Sequence, residues 1–144
     1  MKNNRGFSLL ELLIVVAIIL IIATIAIPSL LRSRQAANES SAVANIRGVN
    51  TAQVSYASTA GGFGSVAELN AAGLLDERFM STFSGYNYVI NLAGNRLDYT
   101  VYATAAASNQ GRYDYYSTPD YVIRYSTVAS RAPAGLSGEP VRGS

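Results

Sequence analysis

Hydrophobic positions along the chain fall into three stretches with different periods. From Phe7 to Leu31, 25 residues carry a single charge, Glu11, and Leu12 to Ile27 is unbroken Leu, Ile, Val and Ala apart from Thr24. At about 1.5 Å per residue a helix of that length reaches roughly 37 Å, enough to cross a hydrocarbon core of about 30 Å. The run is apolar on all sides rather than along one stripe, so it predicts a helix buried in lipid or among other helices. Pro28 removes one backbone donor, and a kink or local break of the helix is expected there.

From Ser29 to about Ala60 the composition turns polar while the helical period persists. Val43, Ile46, Val49, Ala52 and Tyr56 recur at spacings of three and four and mark one apolar face, which should lie against a small sheet. Arg47, Asn50 and Gln53 fall elsewhere on the helical wheel. Gly61-Gly62-Phe63-Gly64 ends the helix, because three glycines in four positions favour left-handed or extended backbone. Ser65 to Ala72 reads as a short helix with Ser65 as cap and Glu68 three residues on.

At Tyr86 the period switches to two. Tyr86, Tyr88, Ile90 and Leu92 alternate with Asn87, Val89 and Asn91; Ala93-Gly94-Asn95 turns; Leu97 to Ala105 returns. Two shorter runs, Tyr113 to Ser117 and Tyr121 to Ser126, are joined by a turn around Pro119-Asp120. The predicted fold is α+β: a long N-terminal helix, membrane-spanning in its first half, on an antiparallel sheet of about four strands. The expected boundaries are a leader over 1–6, the helix over 7–60 with its span over about 7–31, a head over 61–127, and a loose tail over 128–144 holding Pro133 and Pro140.

Composition narrows the chemistry. Histidine and cysteine are both absent, which removes imidazole bases, thiol nucleophiles, disulfides and every metal site built on those ligands. The headline charge of +2 also misleads. Lys2 and Arg5 precede the apolar run, and beyond them nine Arg face nine Asp and Glu. Such a balance leaves no electrostatic footprint for nucleic acid. Lys2 is the only lysine, so Schiff-base and Ser-Lys chemistry have no candidate in the body of the chain.

The apolar run has two plain explanations, a secretory signal peptide or a simple anchor. It exceeds the usual signal-peptide length and carries a carboxylate near its start, and an ionisable residue inside a membrane segment is by default a functional candidate. The positive end of the helix dipole would favour Glu11 there in any case.

Met1 to Gly6 followed by Phe7-Ser8-Leu9-Leu10-Glu11-Leu12-Leu13-Ile14-Val15-Val16-Ala17 resembles the class III leader and methylation segment of type IV pilins and the related pseudopilins of type II secretion. The resemblance is close over about the first 55 residues and extends to the rest only as a layout of helix, loop and sheet. It implies cleavage after Gly6 by a prepilin peptidase on the cytoplasmic side, methylation of the new amino terminus at Phe7, and a single-pass precursor in the inner membrane. It further implies a homopolymer filament, a pilus at the cell surface or a pseudopilus in the periplasm, assembled by an inner-membrane platform and an ATPase. Pilins carry a proline at the place of Pro28. The chain departs from many of them in having no C-terminal cysteine pair.

Glu11 would stand about one helical turn from the freed amine, where low dielectric strengthens their pairing, so it is expected to set the register of assembly. No catalytic, cofactor or metal residues are expected, and the chain is not expected to be an enzyme; a Tyr, Ser or carboxylate site in the head is a remote alternative. Asp76 and Glu77 are adjacent and read as a solvated turn. Asp114 and Asp120 lack the run of oxygen ligands that calcium needs. Asn38-Glu39-Ser40 is a formal glycosylation sequon. Nine of the ten tyrosines lie between Tyr86 and Tyr125, where sheet and interface packing is the expected use.

Overall fold

The computed structural model describes residues 7–125 and 138–141. The elements in order are a helix α1 (Leu9–Ala60), a short helix α2 (Val66–Ala71), a 3-10 turn (Glu77–Met80) and strands β1 (Tyr86–Leu92), β2 (Tyr99–Ala105), β3 (Tyr115–Ser117), β4 (Ile123–Tyr125) and β5 (Glu139–Pro140). Contacts divide the chain into two compact units, up to Ser33 and from Arg34 onward.

The first unit is helix. It is the only helix among the described residues long and apolar enough to cross a membrane. From Phe7 to Arg34 every residue is exposed except the half-buried Ala23. Two hydroxyls within it are satisfied along the helix itself: Thr24 Oγ1 donates to the Ile21 carbonyl at 2.7 Å and Ser33 Oγ to the Ser29 carbonyl at 3.0 Å. That self-sufficiency is what an apolar surrounding demands. The break expected at Pro28 is not observed: the residue lies inside α1, which is helical on both sides of it. A proline deletes a single donor, and neighbouring turns carry the helix past it.

In the second unit all five strands form one antiparallel sheet in the order β1-β2-β3-β4-β5. The first four match the expected meander. The fifth was not expected, since Glu139 and Pro140 fall in the predicted tail; they pair with Tyr125 and Arg124. Proline is tolerated there because β5 is an edge strand. The remainder of the tail, 128–137 and 142–144, lies outside the described residues, as does the leader.

Ala42, Ile46, Val49 and Ala52 of α1 pack with Tyr86, Tyr88, Val101, Ala103, Tyr115 and Ile123 of the sheet, and Leu69, Leu75 and Phe79 join them. The capping box at Ser65 forms as its spacing predicts, with Glu68 N–H donating to Ser65 Oγ and Ser65 N–H to Glu68 Oε2. The long helix stops at Ala60 with Gly61 in the left-handed region (φ 74°).

Two polar residues of α1 depart from the helical-wheel reading. Asn50 and Gln53 are buried, at 5% and 0% exposure. Gln53 Nε2 donates to the Gly64 carbonyl at 2.7 Å and Gly64 N–H donates back to Gln53 Oε1 at 2.9 Å. This reciprocal pair clamps the post-helix loop onto the helix. Gln53→Leu strands both backbone groups of Gly64 in a dry site, each costing about 1–3 kcal/mol. The expected outcome is a loss of about 2–4 kcal/mol in denaturant unfolding of the full chain in detergent. A loss below about 0.5 kcal/mol, the level of an ordinary surface change, would show that the loop does not depend on the clamp.

Candidate assembly segment and polar seam

Of the site residues predicted from sequence, Phe7, Glu11 and Pro28 all lie in the first unit. Gly6 lies outside the described residues. Phe7 is 80% exposed, and Glu11 sits in the first turn of α1. There the Glu11 carboxylate accepts from the Ser8 backbone N–H at 2.9 Å, and Ser8 Oγ accepts from Leu10 N–H at 3.3 Å. Ser8 and Glu11 thus form a capping arrangement of the S-x-x-E kind, which satisfies donors that the helix start leaves free. This use of Ser8 is written in the spacing of the sequence but is overshadowed there by the longer motif. Within a single chain, therefore, Glu11 already has a partner, and it is a dipole rather than a charge.

In the second unit a polar seam runs along α1. Gln35 Nε2 donates to the Ser108 carbonyl, Asn38 Nδ2 to the Gln110 carbonyl and Asn45 Nδ2 to the Tyr88 hydroxyl, each at 2.9 Å. Asn50 bridges two strands, donating to Ser117 Oγ at 2.9 Å and accepting from the Tyr99 hydroxyl at 2.8 Å. Glu39, buried, takes two contacts from the Arg112 guanidinium at 2.9 and 3.1 Å and a third from the Arg112 backbone N–H at 2.8 Å. That pairing holds the Arg112 guanidinium well above its ordinary pKa. The half-buried, engaged amide of Asn38 argues against the sequon as a sugar acceptor in the folded head.

The remaining candidates resolve into structural roles. Asp76 caps the 3-10 turn through Arg78 N–H at 2.8 Å, and hydrogen bonds from Arg78 hold its carboxyl below the usual range. Asp114, 3% exposed, accepts from Ala105 N–H at 2.8 Å. Burial pushes Asp120 upward, but bonds from Arg124, Thr118 and Val122 outweigh it and leave its carboxyl below the ordinary value. No group of three or more potential metal-ligating side chains occurs among the described residues.

The tyrosines serve packing, as expected. Tyr86 and Tyr99 are almost fully buried and their hydroxyls donate to the Tyr113 carbonyl and to Asn50; desolvation raises both hydroxyl pKa values, so they stay protonated donors. Tyr102 stacks on Tyr116 with centroids 6.2 Å apart.

Residues 1–27 match the family model described as the prokaryotic N-terminal methylation motif. The chain is 38% identical over 103 residues to the type IV major pilin protein PilA of Myxococcus xanthus, covering 72% of this chain and 39% of that protein. It is 56% identical over 39 residues to the type IV wide pilus major component PilA4 of Thermus thermophilus, covering 27% of this chain and 30% of that protein. The matched region therefore spans well under half the length of either relative. No solved structure matches the chain significantly. The chain therefore matches the prokaryotic N-terminal methylation motif over residues 1–27 and is similar in sequence to these two type IV pilus proteins.

Proposed function

We propose that this chain is the precursor of a type IV pilus subunit and works by polymerising. The observation that carries the reading is the helix from Leu9 to Leu31, apolar around its whole circumference and almost wholly exposed. Apolar surface on that scale needs lipid before assembly and other helices after it. A prepilin peptidase cuts after Gly6 and the new amino terminus at Phe7 is methylated, with the amino end on the cytoplasmic side. An inner-membrane platform and its ATPase then lift subunits out of the bilayer, and lipid contacts of residues 7–31 are exchanged for contacts between helices. Glu11 pairs with the Phe7 amine of its own or a neighbouring chain and fixes the register. Both relatives are named as pilus components, which supports a pilus over the pseudopilus of type II secretion.

The test is the amino terminus of the protein from its native host, read by intact-mass and terminal-peptide mass spectrometry. The expected chain begins at Phe7 with one added methyl group. A chain beginning near Ile27, or one retaining Met1, would overturn the reading in favour of a signal peptide or a plain anchor. Deleting the gene should abolish surface pili and leave protein secretion intact; the reverse pattern would assign a pseudopilin.

A further inference from the structure

The sheet builds a second feature that the filament reading does not use. Registers across β3, β4 and β5 place Tyr115 opposite Tyr125 and Tyr125 opposite Glu139, so the three side chains form one cross-strand row on one face. Tyr113, two residues before Tyr115, shares that face, and its ring meets that of Tyr125 edge-on at 5.2 Å between centroids with planes inclined by 63°. Tyr115 and Tyr125 are 6.2 Å apart and inclined by 47°. The three rings, with Glu39 and Glu139, line an open cavity of about 410 Å³.

Two features of this cavity bear on what it would hold. One carboxylate, Glu39, is consumed by Arg112, whose guanidinium also lies 5.4 Å from the centroid of the Tyr113 ring. The other, Glu139, is exposed; among the described residues its polar partner is the Tyr125 hydroxyl at 3.4 Å, and it has no basic partner. Among the described residues the cavity thus carries one carboxylate without a basic partner, beside inclined aromatic faces whose quadrupoles attract cations. A bare metal ion would need six or more oxygen ligands, far more than a single spare carboxylate offers.

We propose that this cavity is a binding site for an organic ammonium ion, held against the Tyr113 and Tyr125 rings with the Glu139 carboxylate as counter-charge. The test uses the full-length chain in maltoside micelles, with ring-labelled tyrosine followed by NMR during titration with choline, with butylammonium, and with 3,3-dimethylbutanol, the neutral carbon analogue of choline. Saturable millimolar shifts of the Tyr113, Tyr115 and Tyr125 rings are expected with the cations, and the neutral alcohol should bind about tenfold more weakly. Tighter choline binding would place a quaternary ammonium in the site; tighter butylammonium would place a lysine-like amine. Glu139→Gln, at an exposed position, should weaken cation binding about fivefold and flatten its salt dependence while leaving the Tyr86 and Tyr99 rings unmoved. Equal binding of the neutral alcohol, shifts that do not saturate, or an unaltered Glu139→Gln titration would each overturn the proposal.

Discussion

Glu11→Gln is expected to leave the protein inserted in the membrane and to remove it from filaments. The substitution separates the capping role that the Ser8 contact gives this side chain from the register role proposed for it. Glutamine keeps a carbonyl oxygen that can accept from the Ser8 N–H, which Glu11 now receives at 2.9 Å, so the helix cap survives. What disappears is the charge. In the proposed fibre core that charge faces a cationic amine at low dielectric, and breaking a buried pair by removing one partner costs about 3–5 kcal/mol. Each 1.4 kcal/mol is about a factor of ten in affinity, so the loss per subunit contact is about a hundredfold or more. Sheared surface filaments from the variant should fall below about 1% of wild type on that arithmetic, with the membrane fraction unchanged. Glu11→Ala should behave alike. Ser8→Ala is the counterpart: it removes the capping hydroxyl at a cost of about 1 kcal/mol and keeps the carboxylate, so filaments should persist. Normal filaments from Glu11→Gln together with failure of Ser8→Ala would assign Glu11 to capping alone and overturn its role in register.

Gly111→Ala is the change expected to damage the head most. A Cβ at that position would stand 2.0 Å from the Tyr86 hydroxyl oxygen and 2.6 Å from Cζ, closer than real methyl contacts reach. Tyr86 has no room to retreat, being 0% exposed, with its hydroxyl donating to the Tyr113 carbonyl at 2.7 Å. Moving the backbone instead would disturb Arg112, whose N–H donates to the buried Glu39. Overpacking of this kind costs about 1–3 kcal/mol and the lost hydrogen bond about as much again, so a destabilisation of about 3–5 kcal/mol is expected by denaturant unfolding. That is a large share of the roughly 5–15 kcal/mol that holds a domain together. The double variant Gly111→Ala with Tyr86→Phe relieves the nearest clash and should lose clearly less than the sum of the single losses. Strict additivity would locate the damage elsewhere.

Glu11 and the tyrosines show how differently information is spread along this chain. The apolar run and the carboxylate within it are local features, legible because residue type and spacing alone carry them. Ser65 and Glu68 were legible for the same reason, since a capping box closes within four residues. The alternation from Tyr86 to Ala105 announced a hairpin, and the register Tyr86 to Ala105 through Leu92 to Tyr99 confirms it.

Asn50 and Gln53 were misplaced because a helical wheel sorts residues by hydropathy, whereas burial of an amide depends on a partner far along the chain. Gln53 meets Gly64 eleven residues on, and Asn50 meets Tyr99 and Ser117, 49 and 67 residues away. Buried polar groups are stable only when satisfied, and no local pattern shows whether they will be. The edge strand Glu139–Pro140 escaped for the same reason: two residues have no period, and their pairing is set by the exposed edge of β4.

By itself the sequence determined that the chain has a membrane-length apolar helix with one carboxylate, a helix-then-sheet order and no thiol or imidazole chemistry, because composition and short-range spacing suffice for each. Only the tertiary structure decided that α1 carries a polar seam as well as an apolar face, that the tyrosines of β3 and β4 converge with Glu139 on one cavity, and that Gly111 lies against the Tyr86 hydroxyl. Each of those depends on bringing distant residues within a few ångströms, and that follows from how the helix and sheet pack together.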